Sequence, residues 1–146
     1  MCVSVVIPVL NEASSLPTLL EDMSRLAAEI VFVDGGSSDA TPELLAASNF
    51  RWISAPRGRA SQMNAGAAAT AGETLMFVHA DTKLPFEALG RVHRAVRAGA
   101  VGGSFDLRLD SPRPLLRLVA ATITVRSRIT GVATGDQALF VTREAF

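Results

Sequence analysis

Four short stretches of this chain set charged, polar and glycine residues directly behind apolar runs. They are Pro8 to Glu12 after VSVVI, Asp34-Gly35-Gly36-Ser37-Ser38-Asp39 after IVFV, Arg57-Gly58-Arg59 after RWISAP, and His79-Ala80-Asp81 after TLMFV. A carboxylate such as Asp81 suits a hard divalent cation, with substrate phosphates completing the oxygen shell. The plainer alternative is that Asp81 or Thr82 caps a following helix. His79 could ligate a borderline cation or donate to a phosphate, although a histidine closing an apolar strand is more often a hydrogen-bonded core residue. Arg57 and Arg59 flank a glycine ahead of a helix N-terminus, and guanidinium groups with backbone amides suit a diphosphate; solvated arginines are the plainer alternative. Gly35 and Gly36 let the backbone turn sharply and approach a ligand, so Asp34 could accept hydrogen bonds from a base or ribose. A tight turn with Asp39 or Thr41 capping the next helix is the stronger local reading. Asn64 and Gly66 sit where a helix disfavours both, which points to a side-chain contact at Asn64 and close backbone packing at Gly66, or to a tolerated weak spot.

These residues need elements to hold them. Residues 3–7 read as a short buried strand closed by Pro8. An amphipathic helix follows, carrying Ala13, Leu16, Leu19, Leu20, Met23, Leu26 and Ala27 on one face, with Asn11 or Ser14 as cap and Pro17 in the first turn. Residues 30–34 are a second strand. Residues 41–47 are a helix capped by Thr41 with Pro42 at its first position, and residues 51–54 are a third strand. The alanine-rich segment 60–71 is helical and Gly72 stops it. Strand 74–78 precedes a helix over 86–97 that turns Phe86, Leu89, Val92 and Val96 inward and leaves His93 on the surface. Gly99, Gly102 and Gly103 break the chain before a strand over 104–109. A helix begins at Pro112 and Pro114 and carries Arg117, Arg126 and Arg128, and residues 138–142 form the last strand. This alternation predicts an α/β fold, a mostly parallel sheet with helices on both faces. In such sheets ligands sit outside the carboxyl ends of the strands, where the four stretches fall.

Composition narrows the function. At 146 residues, 49% hydrophobic and with a formal net charge of zero, the chain suits one globular domain and lacks the positive field of a non-specific nucleic-acid binder. The single Cys2 and two histidines exclude an internal disulfide and a zinc finger or ribbon. No basic leader precedes the first apolar run, and no apolar run reaches the length of a membrane span, so the expected location is the cytoplasm. Neither GxxxxGK[ST] nor GxGxxG occurs, which argues against a P-loop ATPase and against a dinucleotide enzyme. The apolar and basic segment 114–128 would suit peripheral contact with a membrane or a second copy of the chain, and more simply a core-packing helix with solvated arginines.

Five pieces in order carry a resemblance: VSVVIPVLNE at 3–12, IVFVDGGSSDAT at 30–41, PRGRASQMNAG at 56–66, AGETLMFVHADTKLP at 71–85 and GDQALFVTREAF at 135–146. Together they resemble family 2 glycosyltransferases, inverting enzymes of GT-A fold, and look closest to a bacterial subgroup associated with arsenosugar biosynthesis. The resemblance implies a single nucleotide-sugar-binding domain over 1–146. It implies a nucleotide-diphosphate sugar donor, UDP among the candidates, transferred to an acceptor hydroxyl. Pro8, Glu12, Asp34, Gly35 and Arg59 would then hold the nucleotide, joined by Asn64, His79, Ala80 and Asp81. The family's Asp-x-Asp motif binds Mn2+ or Mg2+ on the donor diphosphate; here it reads His79-Ala80-Asp81, which gives Asp81 the cation and sets His79 in place of the first acid. Where the family often has Asp-Asp-Gly-Ser, this chain has Asp34-Gly35-Gly36-Ser37. The family's usual catalytic base belongs to a Glu-Asp motif beyond Phe146, so the chain is expected to stop short of it. That leaves Asp136 as the one late acid that could face the acceptor, as a catalytic base or, more simply, in an acceptor-binding or structural role. The alternative expectation is a non-catalytic nucleotide-sugar-binding fragment.

Overall fold

Runs of β-branched and apolar residues make the sheet. The computed structural model describes residues 2–105 and 138–146. In chain order these are β1 (Val3–Val9), α1 (Leu16–Ser24), β2 (Glu29–Asp34), α2 (Thr41–Ala46), β3 (Arg51–Ser54), α3 (Arg59–Ala68), β4 (Thr74–Phe77), α4 (Ala88–Arg97), β5 (Gly102–Ser104) and β6 (Leu139–Thr142). The strand order is β3-β2-β1-β4-β6-β5. β1 to β4 run parallel, whereas β6 lies antiparallel to both β4 and β5, so the sheet is mostly parallel with a mixed edge. The expected helix beginning at Pro112 and the remainder of the expected 104–109 strand lie outside the described residues.

Period-two alternation sorts the strand side chains into two layers. Val3, Val5, Ile7 and Val9 face the same way as Phe32 and Met76, under Leu16, Leu19 and Met23 of α1, Leu45 of α2, and Ala88 and Val92 of α4. Val6, Val31, Val33, Leu75 and Phe77 face the other way, under Met63 and Ala67 of α3. Helices therefore cover both faces. The small residues of α3 let it lie close on the sheet: a Cβ on Gly66 would sit 2.3 Å from Val6 Cγ1 and 3.0 Å from Val33 Cγ2. This is the close packing expected at Gly66.

Several local expectations are corrected. β1 does not close at Pro8 but runs to Val9, with Pro8 paired to Val33. The Val9 carbonyl takes the Gly35 amide on the β2 side, and the Val6 carbonyl takes the Val78 amide on the β4 side. Alternation then turns Pro8 toward β4, past the last paired residue Val6, where a missing N–H costs no ladder bond. Neither Asn11 nor Ser14 caps α1. Its N-cap is Ser15, and α1 starts late because residues 11–13 bond to the next loop. α2 is flanked by Ala40, and the Thr41 amide is held by Asp39 Oδ1 at 3.0 Å, so Asp39 performs the capping task expected of Thr41.

The later part of the chain departs further. Gly72 does not stop α3, which ends at Ala68; it is glycine because a Cβ would meet Ser4 Oγ at 2.3 Å. The carbonyls at the end of α3 are capped instead by arginines. Arg51 Nη1 donates to Ala69, and Arg143 donates to Ala67, Gly72 and the Thr70 hydroxyl. Phe86 is 98% exposed rather than inward, because α4 begins at Ala88, and Leu84 packs on the core in its place. His93 is half-buried, its Nε2 enclosed without a partner among the described residues. Gly102 and Gly103 do not break the chain. They are β5 itself, and a Cβ on Gly103 would strike the Phe140 ring at 2.8 Å.

Candidate functional site

The strand order reverses direction at β1: β2 and β3 follow on one side and β4 on the other. In an open parallel sheet the crevice beyond the carboxyl ends at such a reversal is where ligands bind. Across this edge lie, in order, Arg57 to Arg59 after β3, the Asp34 turn after β2, residues 10–12 after β1 and His79 to Asp81 after β4. The Asp34 turn and the His79 turn are separated by β1 alone, roughly 10 Å at two strand spacings.

Asp34 ends β2 and is 4% exposed. Its carboxylate turns back on the following residues and accepts from the Gly36 amide at 3.1 Å, the Ser37 amide at 3.1 Å and the Ser37 hydroxyl at 2.5 Å. Asp34 thus builds the turn it opens. Gly36 takes φ +85°, which the turn needs and a side chain resists. Gly35 is glycine for a different reason. A Cβ there would lie 2.9 Å from the Gln62 side chain.

Gln62 is the residue that sequence reasoning missed. Buried in α3, its Nε2 donates to the Val9 carbonyl at 2.9 Å and the Val33 carbonyl at 2.7 Å. It clasps the carboxyl ends of β1 and β2 and presses on Gly35. A glutamine among the small residues of an otherwise alanine-rich helix was the available signal. Asn64, by contrast, is exposed and stands about 200° round the helix from Gln62, so the structure does not turn it toward the Asp34 turn.

The loops after β1 and β2 are stitched together. Asn11 adopts φ +56°, a left-handed conformation that asparagine tolerates. Its amide donates to Ser37 Oγ at 2.8 Å and its side-chain oxygen takes the Ser38 amide at 2.8 Å. The Glu12 amide donates to Thr41 Oγ1 at 2.8 Å, and the Ala13 amide to Asp39 Oδ2 at 3.0 Å. The Thr41 hydroxyl first, and the Ala13 and Thr41 amides with it, hold the Asp39 carboxyl below the usual range. Glu12 itself accepts from the Ser15 hydroxyl at 2.5 Å.

At the end of β4, Ala80 continues the Met76–Val78 face and is buried in the core, so only its backbone reaches the edge. The Thr82 amide bonds the His79 carbonyl at 3.0 Å and bends the chain so that Asp81 projects outward, its side chain 73% exposed. Asp81 and Thr82 cap no helix, since α4 starts only at Ala88 behind Glu87. His79 Nδ1 lies 2.9 Å from Asp81 Oδ1, yet it is enclosed and has no partner of hydrogen-bond geometry among the described residues. No cluster of three or more metal-ligating side chains occurs among those residues. Arg59 opens α3 behind Gly58, whose φ of +139° demands glycine, so the helix N-terminus faces the edge as expected. Asp136 lies outside the described residues.

A mostly parallel sheet with its polar groups gathered at the β1–β4 reversal is an α/β architecture of the GT-A kind. Solved structures share it. A glucosyl-3-phosphoglycerate synthase from Mycobacterium tuberculosis, in complex with Mn2+, UDP and glucosyl-3-phosphoglycerate, aligns with a TM-score of 0.72 at 23% identity, over 98% of this chain and 57% of that one. A mannosyltransferase from Pyrobaculum calidifontis, in complex with GDP-Man and Mn2+, aligns with a TM-score of 0.73 at 20% identity, over 97% of this chain and 44% of that one. The chain belongs to glycosyl transferase family 2, whose model matches residues 4–138. Curated relatives include undecaprenyl-phosphate 4-deoxy-4-formamido-L-arabinose transferases. That of Pseudomonas paraeruginosa is 38% identical over 92% of this chain, and that of Yersinia pestis 34% over 92%. This chain spans 44% and 46% of their lengths. No helix among the described residues is long and apolar enough to cross a membrane.

Proposed function

We propose that the chain transfers a sugar from a nucleotide-diphosphate donor to an acceptor hydroxyl, with a divalent cation at Asp81. The observation that carries this reading is the outward, uncapped Asp81 carboxylate at the strand-order reversal. In this reading Pro8, Glu12, Asp34 and Gly35 border the nucleotide through the stitched loops. Arg59 and the amides opening α3 meet the diphosphate, where the helix dipole favours negative charge. The backbone at Ala80 lies along the donor, while Asn64 faces away from the Asp34 turn. The donor set at the end of β4 suits a cation: a largely exposed carboxylate with an unpartnered ring nitrogen 2.9 Å from its Oδ1. When bound there, Mn2+ or Mg2+ would neutralise charge on the departing diphosphate.

The transfer is an inverting displacement. The acceptor oxygen forms its bond to the anomeric carbon as the bond to the diphosphate oxygen breaks. The nucleoside diphosphate leaves with that electron pair, and a base takes the acceptor proton. The closer assignment to the arsenosugar-associated subgroup rests on the sequence motifs, whereas the curated relatives named above are undecaprenyl-phosphate 4-deoxy-4-formamido-L-arabinose transferases. A lipid-linked acceptor would agree with the peripheral membrane contact considered for segment 114–128.

One observation favours a second reading, a nucleotide-sugar-binding unit without turnover of its own. Among the described residues, Asp34 and Glu12 are engaged in their loops, Asp39 holds the Ala13 and Thr41 amides, and Asp81 is given to the cation. None of them is left to take the acceptor proton, and Asp136 stands outside this set. Calorimetric titration with UDP and GDP, with and without Mn2+, tests the shared premise. Binding of one nucleotide that strengthens with Mn2+ and loses that gain in Asp81→Asn is expected; no nucleotide binding defeats both readings. Donor hydrolysis or transfer by this chain alone defeats the second.

A further inference from the structure

Just beyond β4 an imidazole and a carboxylate, His79 and Asp81, share one tight turn. Two ligand atoms bound at right angles, each about 2.1 Å from one ion, lie about 3 Å apart. His79 Nδ1 and Asp81 Oδ1 are separated by 2.9 Å. Their contact lacks hydrogen-bond geometry, which leaves Nδ1 an enclosed polar atom without a partner among the described residues. An enclosed nitrogen of this kind costs free energy unless something bonds it. The turn closed by the Thr82 amide on the His79 carbonyl fixes both side chains on one side of a tight bend, so they converge before any ligand arrives. Asp81 is mostly exposed and His79 one-third exposed, so the carboxylate side of the pair faces solvent.

Resting on the cation-assisted reading above, we propose that His79 ligates the same cation through Nδ1, and that this nitrogen tilts the site toward Mn2+ over Mg2+. The ring proton then resides on Nε2, and Nδ1 presents its lone pair beside the Asp81 oxygen. The selectivity follows from ligand chemistry. Mg2+ is held almost wholly by oxygen and keeps its waters, whereas imidazole nitrogen favours first-row transition ions.

Pulsed electron paramagnetic resonance on the protein with Mn2+ and UDP, and separately Mn2+ and GDP, reads the bond directly. Nitrogen modulation from a directly bound imidazole is expected. It should change pattern in protein grown on heavy-nitrogen histidine and disappear in His79→Ala. Mn2+ affinity should fall about tenfold or more in His79→Ala, a loss seen even when a group behind a metal ligand is removed. His79→Asp should keep a bound cation, lose the nitrogen signal and shift preference toward Mg2+. Mn2+ held by the parent protein without histidine nitrogen modulation overturns this inference and leaves the cation reading standing. A parent protein that holds no Mn2+ with either nucleotide, or holds it equally well as Asp81→Asn, overturns both.

Discussion

Gln62 does at one point what a stretch of backbone would otherwise have to do. Its amide nitrogen spends both hydrogens on carbonyls of two different strands, Val9 and Val33, and its bulk fills the space that Gly35 leaves. Replacing it with leucine keeps most of the volume and removes both bonds. At about 0.5–1.5 kcal/mol for each bond, Gln62→Leu should lose about 1–3 kcal/mol in urea denaturation. It should also weaken nucleotide binding, because the Asp34 turn rests on that side chain; unchanged stability and binding would show the clasp to be idle. At this scale the sequence was uneven. Asp81 could be singled out from its place behind an apolar strand, but its capping alternative fell only once α4 was seen to start at Ala88. Gln62 and Arg143 act across 53 and 76 residues of chain, and nothing in their immediate neighbours signals such partners. The Asp34 turn and Asp39 or Thr41 as caps were legible, whereas their cross-loop partners were not.

Among the elements, α3 is set apart by how closely it approaches the sheet. Gly66 makes that approach possible, since any Cβ there collides with Val6 and Val33. Gly66→Ala should cost about 1–3 kcal/mol of overpacking, visible as a lower denaturation midpoint. Val6→Ala in the same chain should recover part of it, and a Gly66→Ala protein as stable as its parent would contradict the packing. Period-two and helical patterns located the elements well because one buried face writes itself into the sequence. β2 to β4 fell within a residue or so of expectation, and α3 began one residue early. Boundaries failed where the deciding contact is distant. Residues 11–13 are drawn off α1 by the next loop, and Gly102 and Gly103 read as breakers although Phe140 across the sheet makes them strand.

On the scale of the whole molecule, the two ends of the sheet have separate tasks. The carboxyl end carries the candidate site. At the amino end, Glu29 accepts from the Ser4 hydroxyl at 2.6 Å and the Ala71 amide at 3.0 Å, while Ser4 Oγ takes the Gly72 amide, tying β1, β2 and the approach to β4. The Ser4 hydroxyl first, then the Ala71 amide, holds the Glu29 carboxyl below its usual value of 4.5. A depressed carboxylate stabilises the fold above the unfolded value and loses that contribution as pH falls through the folded one. Glu29→Gln should therefore lower Tm at pH 7, and its gap from the parent should narrow as pH drops below about 4.5; a gap that widens toward acid would reverse the assignment. Nucleotide affinity at neutral pH should be unaffected, since Glu29 sits at the far end of the sheet from the site.

The stitching of the loops after β1 and β2 has a consequence for how this edge can vary. Surface connections ordinarily accept insertions and deletions with little penalty. Here the Asn11, Glu12 and Ala13 amides meet Ser37, Thr41 and Asp39 in step, and the Ser38 amide meets the Asn11 side chain in return. One residue added to either loop would put every pair out of phase at once. These two loops can exchange one small polar residue for another, but their lengths are fixed by each other as firmly as the register of paired strands.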